Sequence, residues 1–211
     1  MFGALSATDL ITVLVSIIIS LSVHEAMHAY VAHKLGDMTA HDEGRLTLNP
    51  LKHVDFLTTV LLPFVLILFH MPPFFVAKPV PFDPDNLRYG EYGMALVGVA
   101  GPLTNLALAV IGVMVMHVTG AASGTDLSQA LIIFVQINIG FFVFNMIPFP
   151  PLDGSRLLYA FAPDGLRRLM IQIESMGFMT IILFMILLYP FLLRPIVTSV
   201  SDNLLQFLLG F

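Results

Sequence analysis

Long apolar stretches, separated by short polar connections, make up most of this 211-residue chain. A helix of about 20 apolar residues crosses a bilayer, and four of the stretches reach that length. The apolar stretches are 10–32, 56–69, 94–118, 127–147 and 173–193, the last followed by an apolar tail to residue 211. This pattern predicts an all-α polytopic membrane protein of about four to five transmembrane helices, built as a single membrane-embedded domain over residues 1–211.

Two segments depart from the pattern of a straight spanning helix. The second stretch is short, contains one proline and is followed by two more, so 56–76 is predicted to be a re-entrant hairpin rather than a full span. The tail after Pro190 carries Arg194, Pro195 and Asp202, which favours an interfacial helix over another span.

The third stretch carries small residues at spacings of three and four. They are Gly98, Gly101, Asn105, Ala109 and Gly112. Since residues at these spacings share one helix face, we expect neighbouring helices to approach this face closely.

Composition supports the membrane assignment and limits the chemistry. Hydrophobic residues make up 57% and charged residues 11% of the chain, against about 25% charged in a typical soluble domain. The chain has no cysteine, so any metal would have to be held by histidine, aspartate or glutamate. The formal net charge is −5 and no basic stripe is present, so a nucleic-acid partner is not expected.

Basic residues are distributed unevenly among the connections. If 56–76 re-enters, the connections 34–53, 77–93 and 152–168 lie on one side and hold eight of the nine lysines and arginines. The connection 119–126 lies on the other side and holds none. Because basic residues accumulate in cytoplasmic loops, this predicts a cytoplasmic 152–168 connection and an external N-terminus.

The first apolar stretch contains the motif His24-Glu25-Ala26-Met27-His28. Residues four apart lie on one face of a helix, so His24 and His28 can bind one Zn²⁺ while Glu25 reaches a zinc-bound water. An ionisable side chain at the centre of a membrane helix costs about 2.5 to 3.5 kcal/mol, so this cluster needs compensation. A metal supplies it, whereas the alternative is a pair of helix-end histidines without a ligand.

Asp153 is the predicted third ligand, because catalytic zinc usually takes three protein ligands and leaves one position for water. Asp153 follows a proline-rich turn at the end of the fourth stretch, where an acidic residue would otherwise be costly. An alternative or additional role is the N-cap of a helix that begins near Gly154. Other histidines lack a partner at ligand spacing and are weaker candidates: His33, His41, His53, His70 and His117.

Five sequence blocks, in this order, resemble the site-2 protease family of intramembrane metalloproteases, especially its compact branch without accessory domains. The blocks are HEAMHAYVAHKLGD at 24–37, GRLTLNPLKHVD at 44–55, AKPVPFDP at 77–84, GPLTN at 101–105 and NMIPFPPLDGSRLL at 145–158. The resemblance implies one zinc held by His24, His28 and Asp153, with Glu25 as the catalytic base. It further implies that Asn105 and Asn145 contact the substrate backbone or assist the oxyanion, and that the protein resides in a bacterial cytoplasmic membrane.

The expected substrates are transmembrane proteins, whose helices must unwind locally before their peptide bonds can be reached. Residues 44–51 alternate apolar and polar positions before Asn49 and Pro50, which predicts a short strand in a small β region near the active site. We expect the edge of this strand to hold the unwound substrate. The substrate-binding residues on it are Arg45, Leu46, Thr47 and Leu48.

Two other functions would also use intramembrane histidine and aspartate. A membrane metal transporter would bind such ions, but it has no need of a base such as Glu25 beside a ligand pair. A non-catalytic scaffold could retain a structural zinc, although the intact motif argues against it.

Overall fold

The computed structural model describes residues 6–53, 78–121 and 124–210. The predicted re-entrant segment 56–76 lies outside these residues. The helices are α1 (Ala7–Lys34), α2 (Thr39–Asp42), α3 (Glu91–Thr119), α4 (Asp126–Asn145), α5 (Gly154–Phe161), α6 (Asp164–Ser175), α7 (Phe178–Leu183) and α8 (Arg194–Leu209), with a π-helical segment, Phe184–Leu193, between α7 and α8. Single 3₁₀ turns occur at Pro50–Lys52 and Pro84–Asn86.

Four helices are long and apolar enough to cross a membrane, as the sequence predicts. They are Ala7–Lys34, Glu91–Thr119, Asp126–Asn145 and the continuous Met179–Leu209. The protein is therefore a mostly helical membrane protein.

The first helix has defined start and stop signals. At its N-terminus, the hydroxyl of Ser6 accepts a hydrogen bond from the Asp9 amide, and the Asp9 carboxylate accepts one from the Ser6 amide. At its C-terminus, Gly36 turns the chain with φ of 108°, which favours glycine. The helix is apolar overall, yet its buried face includes polar side chains that face the other helices.

Helix α3 is the central helix, in contact with α1, α4 and α5. Its predicted small-residue face is fully buried: Gly98, Gly101, Asn105, Ala109 and Gly112. A Cβ atom at Gly112 would lie 2.8 Å from Val135 of α4, and one at Gly98 would lie 2.6 Å from Cβ of Arg156 of α5. The close approach of these helices therefore depends on the missing side chains, as the sequence indicates.

The tail after Pro190, for which the sequence predicts an interfacial helix, continues the last apolar helix of the protein. The helix continues through Pro190 in the π-helical segment, whose wider turn accommodates a residue without an amide hydrogen. Near its end, Leu204 and Leu208 pack on a buried cluster that includes Ala109 and Val135 of α3 and α4. The tail is thus part of the last candidate span.

The predicted strand is also absent from the described residues. Leu46 and Thr47 form a bend, in which the Thr47 amide donates to the Arg45 carbonyl and the Thr47 carbonyl accepts from His53 Nε2. These local bonds replace the pairing that a strand would need. Burial does not follow the alternation of apolar and polar residues either, since Arg45 is buried whereas Leu48 is 65% exposed.

Candidate metal centre

His24 and His28, in the C-terminal half of α1, converge with Asp153. The Nε2 atoms of the two histidines are 3.0 Å apart. One oxygen of Asp153, Oδ2, lies 3.0 Å from His24 Nε2 and 3.3 Å from His28 Nε2. The ligand atoms of the three residues all lie within 4.8 Å of one another, and both histidines are buried. Among the described residues, this is the group of histidine and acidic side chains that could hold a metal ion.

Helix α3 leaves space at this cluster through a glycine. A Cβ atom at Gly101 would lie 2.4 Å from His28 Nε2 and 2.6 Å from His24 Nε2. Real Cβ atoms do not approach other atoms so closely, so any side chain at position 101 would displace the two imidazoles. The sequence predicts Gly101 on a packing face, but its contact with the metal ligands follows only from the structure.

The other ring nitrogen of each histidine faces an acceptor. His28 Nδ1 lies 2.7 Å from the Val97 carbonyl oxygen, to which it donates. His24 Nδ1 lies 2.5 Å from Asn105 Oδ1. With the protons held on Nδ1, both Nε2 lone pairs are available for a metal, as in many metal sites where a partner fixes the histidine tautomer. The residues present therefore fit a zinc ion.

Asp153 reaches the histidines from the turn between α4 and α5. It occupies the N-cap position of α5, but its side chain makes no capping hydrogen bond there. The carboxylate is instead turned toward His24 and His28, so the N-cap alternative does not describe this side chain. Gly154 lets the turn close tightly, since a Cβ atom there would lie 2.4 Å from the Met146 carbonyl oxygen.

Glu25 is buried beside the histidines, and its carboxylate accepts a hydrogen bond of 3.2 Å from the Val80 amide. Segment 78–80 is held in turn by Arg45, whose Nη2 donates to the Lys78 carbonyl at 2.7 Å and the Pro79 carbonyl at 3.3 Å. The role of Val80 could not be seen in the sequence, because an apolar residue acts here through its backbone amide.

The metal cluster opens onto a cavity of about 550 Å³. Its walls come from α1, α3, α4, the turn that carries Asp153 with the start of α5, segment 79–82 and the region around Phe184. Most of the lining is apolar, with His24, Glu25, His28 and Asp153 as a polar group on one wall. A cavity of this kind suits an apolar peptide segment whose reacting bond is polar.

The predicted substrate-binding residues are spread over different places. Asn145 is half-buried and lines the cavity, while its Nδ2 donates to the Phe141 carbonyl. Asn105 is fully buried and bonded to His24, and it does not belong to the cavity lining. Among residues 45–48, Leu46 packs against a buried cluster that contains Val80.

The described histidines outside this cluster have other surroundings. His33 and His41 stack on each other, His53 bonds the Thr47 carbonyl, and His117 bonds the Val113 carbonyl of its own helix. His70 lies outside the described residues.

Comparison with known proteins found relatives over nearly the whole chain. The chain is 40% identical to "Putative zinc metalloprotease YwhC" of Bacillus subtilis over 200 residues, covering 91% of this chain and 88% of the relative. It is 25% identical to "Putative zinc metalloprotease Rip2" of Mycolicibacterium smegmatis, covering 83% of this chain and 67% of the relative. No family model matches the chain, and no solved structure matches it.

Proposed function

Because this chain belongs to the site-2 protease family, we propose that it is a zinc endopeptidase that hydrolyses peptide bonds of other transmembrane proteins within or close to the bilayer. The observation that carries the proposal is the convergence of His24, His28 and Asp153 beside the buried carboxylate of Glu25. In this proposal each chain holds one Zn²⁺. The names of the relatives support zinc and proteolysis, and the four apolar helices support the membrane setting.

His24, His28 and Asp153 would hold the ion through Nε2, Nε2 and a carboxylate oxygen. When bound, zinc lowers the pKa of a coordinated water to about 7 and polarises the scissile carbonyl. Glu25 accepts the proton of the attacking water and delivers it to the leaving nitrogen, so that one water is consumed for each peptide bond broken. The hydrogen bond from Val80 to Glu25 keeps this carboxylate in place beside the ligands.

The substrate must arrive as an unwound segment, because a helix encloses its peptide bonds in its own hydrogen bonds. We propose that the apolar cavity supplies side-chain contacts and that Asn145, which lines it, contacts the substrate backbone. We propose that residues 45–48 adopt strand geometry only when a substrate segment pairs with them. Asn105 has both amide atoms engaged inside the protein, which favours a role in orienting His24 over a substrate contact.

We also propose a multi-pass arrangement in a bacterial cytoplasmic membrane, with the 152–168 connection in the cytoplasm. The distribution of lysine and arginine supports this orientation. The ion pairs Arg156 with Glu174 and Arg167 with Glu91 attach α6 to α5 and to the start of α3. The basic connection and the metal cluster would thus lie toward the same side of the membrane.

The test is cleavage of a model transmembrane substrate by purified protein in parallel with a measurement of its zinc content. Glu25→Gln should retain zinc and lose about 10²- to 10⁴-fold in rate, the range for removal of a general base. Glu43 is an exposed glutamate in the turn directly after α2, and Glu43→Gln is the matched control, which should cleave like wild type. Zinc binding without cleavage by wild type would favour a metal-binding or transport protein, and equal rates for Glu25→Gln and wild type would refute the assigned base.

A further inference from the structure

Helix α4 contains a polar side chain that neither the motif nor the cavity explains. Asn138 lies within a candidate membrane span and is fully buried, with no exposed surface. It does not line the cavity around the metal cluster. A buried amide in an apolar helix is costly unless its donors and acceptors are satisfied, so its partners define its role.

The orientation of the Asn138 amide is set by its own helix. Its Nδ2 lies 2.9 Å from the Phe134 carbonyl oxygen, which can only accept a hydrogen bond. The Nδ2 group must therefore face Phe134, and Oδ1 must face the opposite direction. Oδ1 lies 3.0 Å from Nδ2 of Asn105 on α3.

The orientation of Asn105 follows from two acceptors. Its Nδ2 donates to Asn138 Oδ1 and, at 3.3 Å, to the Ser20 carbonyl oxygen. Since both sites can only accept, the Asn105 amide places Oδ1 on its other side. That oxygen lies 2.5 Å from His24 Nδ1 and accepts its proton.

We propose that Asn138 is a positioning residue for the metal ligand His24, acting through Asn105. The hydrogen bonds run in one direction from His24 Nδ1 to Asn105, to Asn138 and to the Phe134 carbonyl. This direction keeps the His24 proton on Nδ1 and leaves Nε2 free to bind zinc. Without Asn138, the Nδ2 group of Asn105 loses one of its two acceptors, and the Asn105 amide can reverse. The reversed amide would present Nδ2 to His24 Nδ1. This would favour a proton on His24 Nε2, and a protonated Nε2 cannot bind the ion.

The inference rests on the zinc site of the proposed function, and its test measures zinc affinity rather than cleavage. Zinc affinity is determined by competition with a chelator for wild type, Asn138→Leu and Gln136→Leu. Partners that orient metal ligands typically contribute about 10- to 100-fold in affinity, and we expect about tenfold weaker binding for Asn138→Leu. Gln136 is an exposed amide two residues away on the same helix, and its leucine variant should bind zinc like wild type.

A double-mutant cycle separates positioning from a general effect on packing. If Asn138 acts through Asn105, Asn138→Leu should weaken zinc binding by less than about twofold further in an Asn105→Ala background. Independent, additive losses would overturn the proposal, and so would unchanged affinity in Asn138→Leu alone.

Thermal unfolding of the metal-free proteins reports any loss of fold. If Asn138→Leu does not fold, Asn138→Ala provides the same comparison of zinc affinities. If the wild-type protein binds no zinc, the proposed function itself is refuted. If the wild type binds zinc and the Asn138 variants bind it with the same affinity, only this inference is refuted.

Discussion

Gly101 of α3 faces His28 of α1 so closely that a Cβ atom on the glycine would lie 2.4 Å from His28 Nε2. The same Cβ atom would lie 2.6 Å from His24 Nε2. The absence of a side chain at Gly101 therefore allows α3 to pack against α1 while the Nε2 atoms of His24 and His28 stay directed at the same metal position. The packing of the membrane helices and the geometry of the metal cluster meet at this position.

Gly101→Ala should weaken zinc binding more strongly than it destabilises the fold. The added methyl group displaces both imidazoles, and we expect a loss of about 10- to 100-fold in zinc affinity, comparable to loss of a partner that orients a ligand. Chelator competition measures the affinity. Gly165→Ala is the control, because a Cβ atom at this helical glycine has no neighbour within 4 Å. Wild-type zinc affinity in Gly101→Ala would contradict the close approach described above.

The side chain of Arg45 should act on the catalytic rate, whereas the proposed pairing of residues 45–48 with the substrate uses their backbone. Its side chain holds the carbonyls of segment 78–79, directly before the Val80 amide that bonds Glu25. Arg45→Met should lower kcat by about 10- to 100-fold through displacement of the base, with KM and zinc content nearly unchanged. Arg45→Lys keeps a donor and should recover part of the rate.

The exposed Arg168→Met is the control for loss of a positive charge and should leave kcat unchanged. A raised KM with unchanged kcat in Arg45→Met would instead support direct substrate binding by Arg45, as the sequence predicts.

Asp37 should stabilise the protein in a pH-dependent way. Burial alone would raise the pKa of Asp37, but hydrogen bonds from Thr39, from the Asp83 amide and from Asn86 outweigh it and hold this pKa below its usual range. A lowered pKa in the folded state stabilises the protein above the ordinary aspartate pKa of about 3.9, and this contribution disappears as the pH falls through the folded-state value.

Asp37→Asn should therefore lower the free energy of unfolding at pH 7 by about 1.5 to 3 kcal/mol, typical of hydrogen bonds to a charged group. The difference from wild type should shrink as the pH is lowered below about 5, because the unfolded carboxyl begins to bind protons there. Thermal unfolding in detergent across this pH range measures both effects. A difference that stays constant with pH would show that the charge of Asp37 does not contribute.

Single cysteines can establish the orientation in the membrane, because the chain has no cysteine of its own. Arg168 and Thr119 are both exposed. The ion pair between Arg167 and Glu91 places α6 at the start of α3, and a rise of about 1.5 Å per residue puts Thr119 about 40 Å away at the other end. In intact cells, an impermeant thiol reagent should label Thr119→Cys and not Arg168→Cys. The reverse pattern would invert the proposed topology.

Local patterns in the sequence predict the parts of the site that one element determines. The spacing of His24 and His28 follows from the helical repeat, and Asp153 stands out because an acidic residue follows a proline-rich turn at the end of a span. The continuation of the last helix through Pro190 could not be predicted, because proline usually interrupts an α-helix and here lies in a π-helical segment. Alternation at 45–48 indicates a strand only if a partner is present, and the described residues provide none.

The groups that orient the ligands depend on packing between helices and leave weaker signals. The Val97 carbonyl that bonds His28 has no signature, since every residue has a carbonyl group. Asn138 could have been noted as an amide within an apolar stretch, but its connection to His24 passes through Asn105 on another helix. Such relationships appear only when α1, α3 and α4 are assembled.

The most direct test of the central claim is X-ray absorption spectroscopy of the purified, zinc-loaded protein together with its zinc content. We predict one zinc per chain, with two imidazole nitrogens and carboxylate or water oxygens at about 2.0 to 2.2 Å. Asp153→Ala should lose most of this zinc, whereas Glu25→Gln should keep the same spectrum. Absence of zinc from the folded wild type, or a spectrum that shows no histidine ligands, would contradict the account.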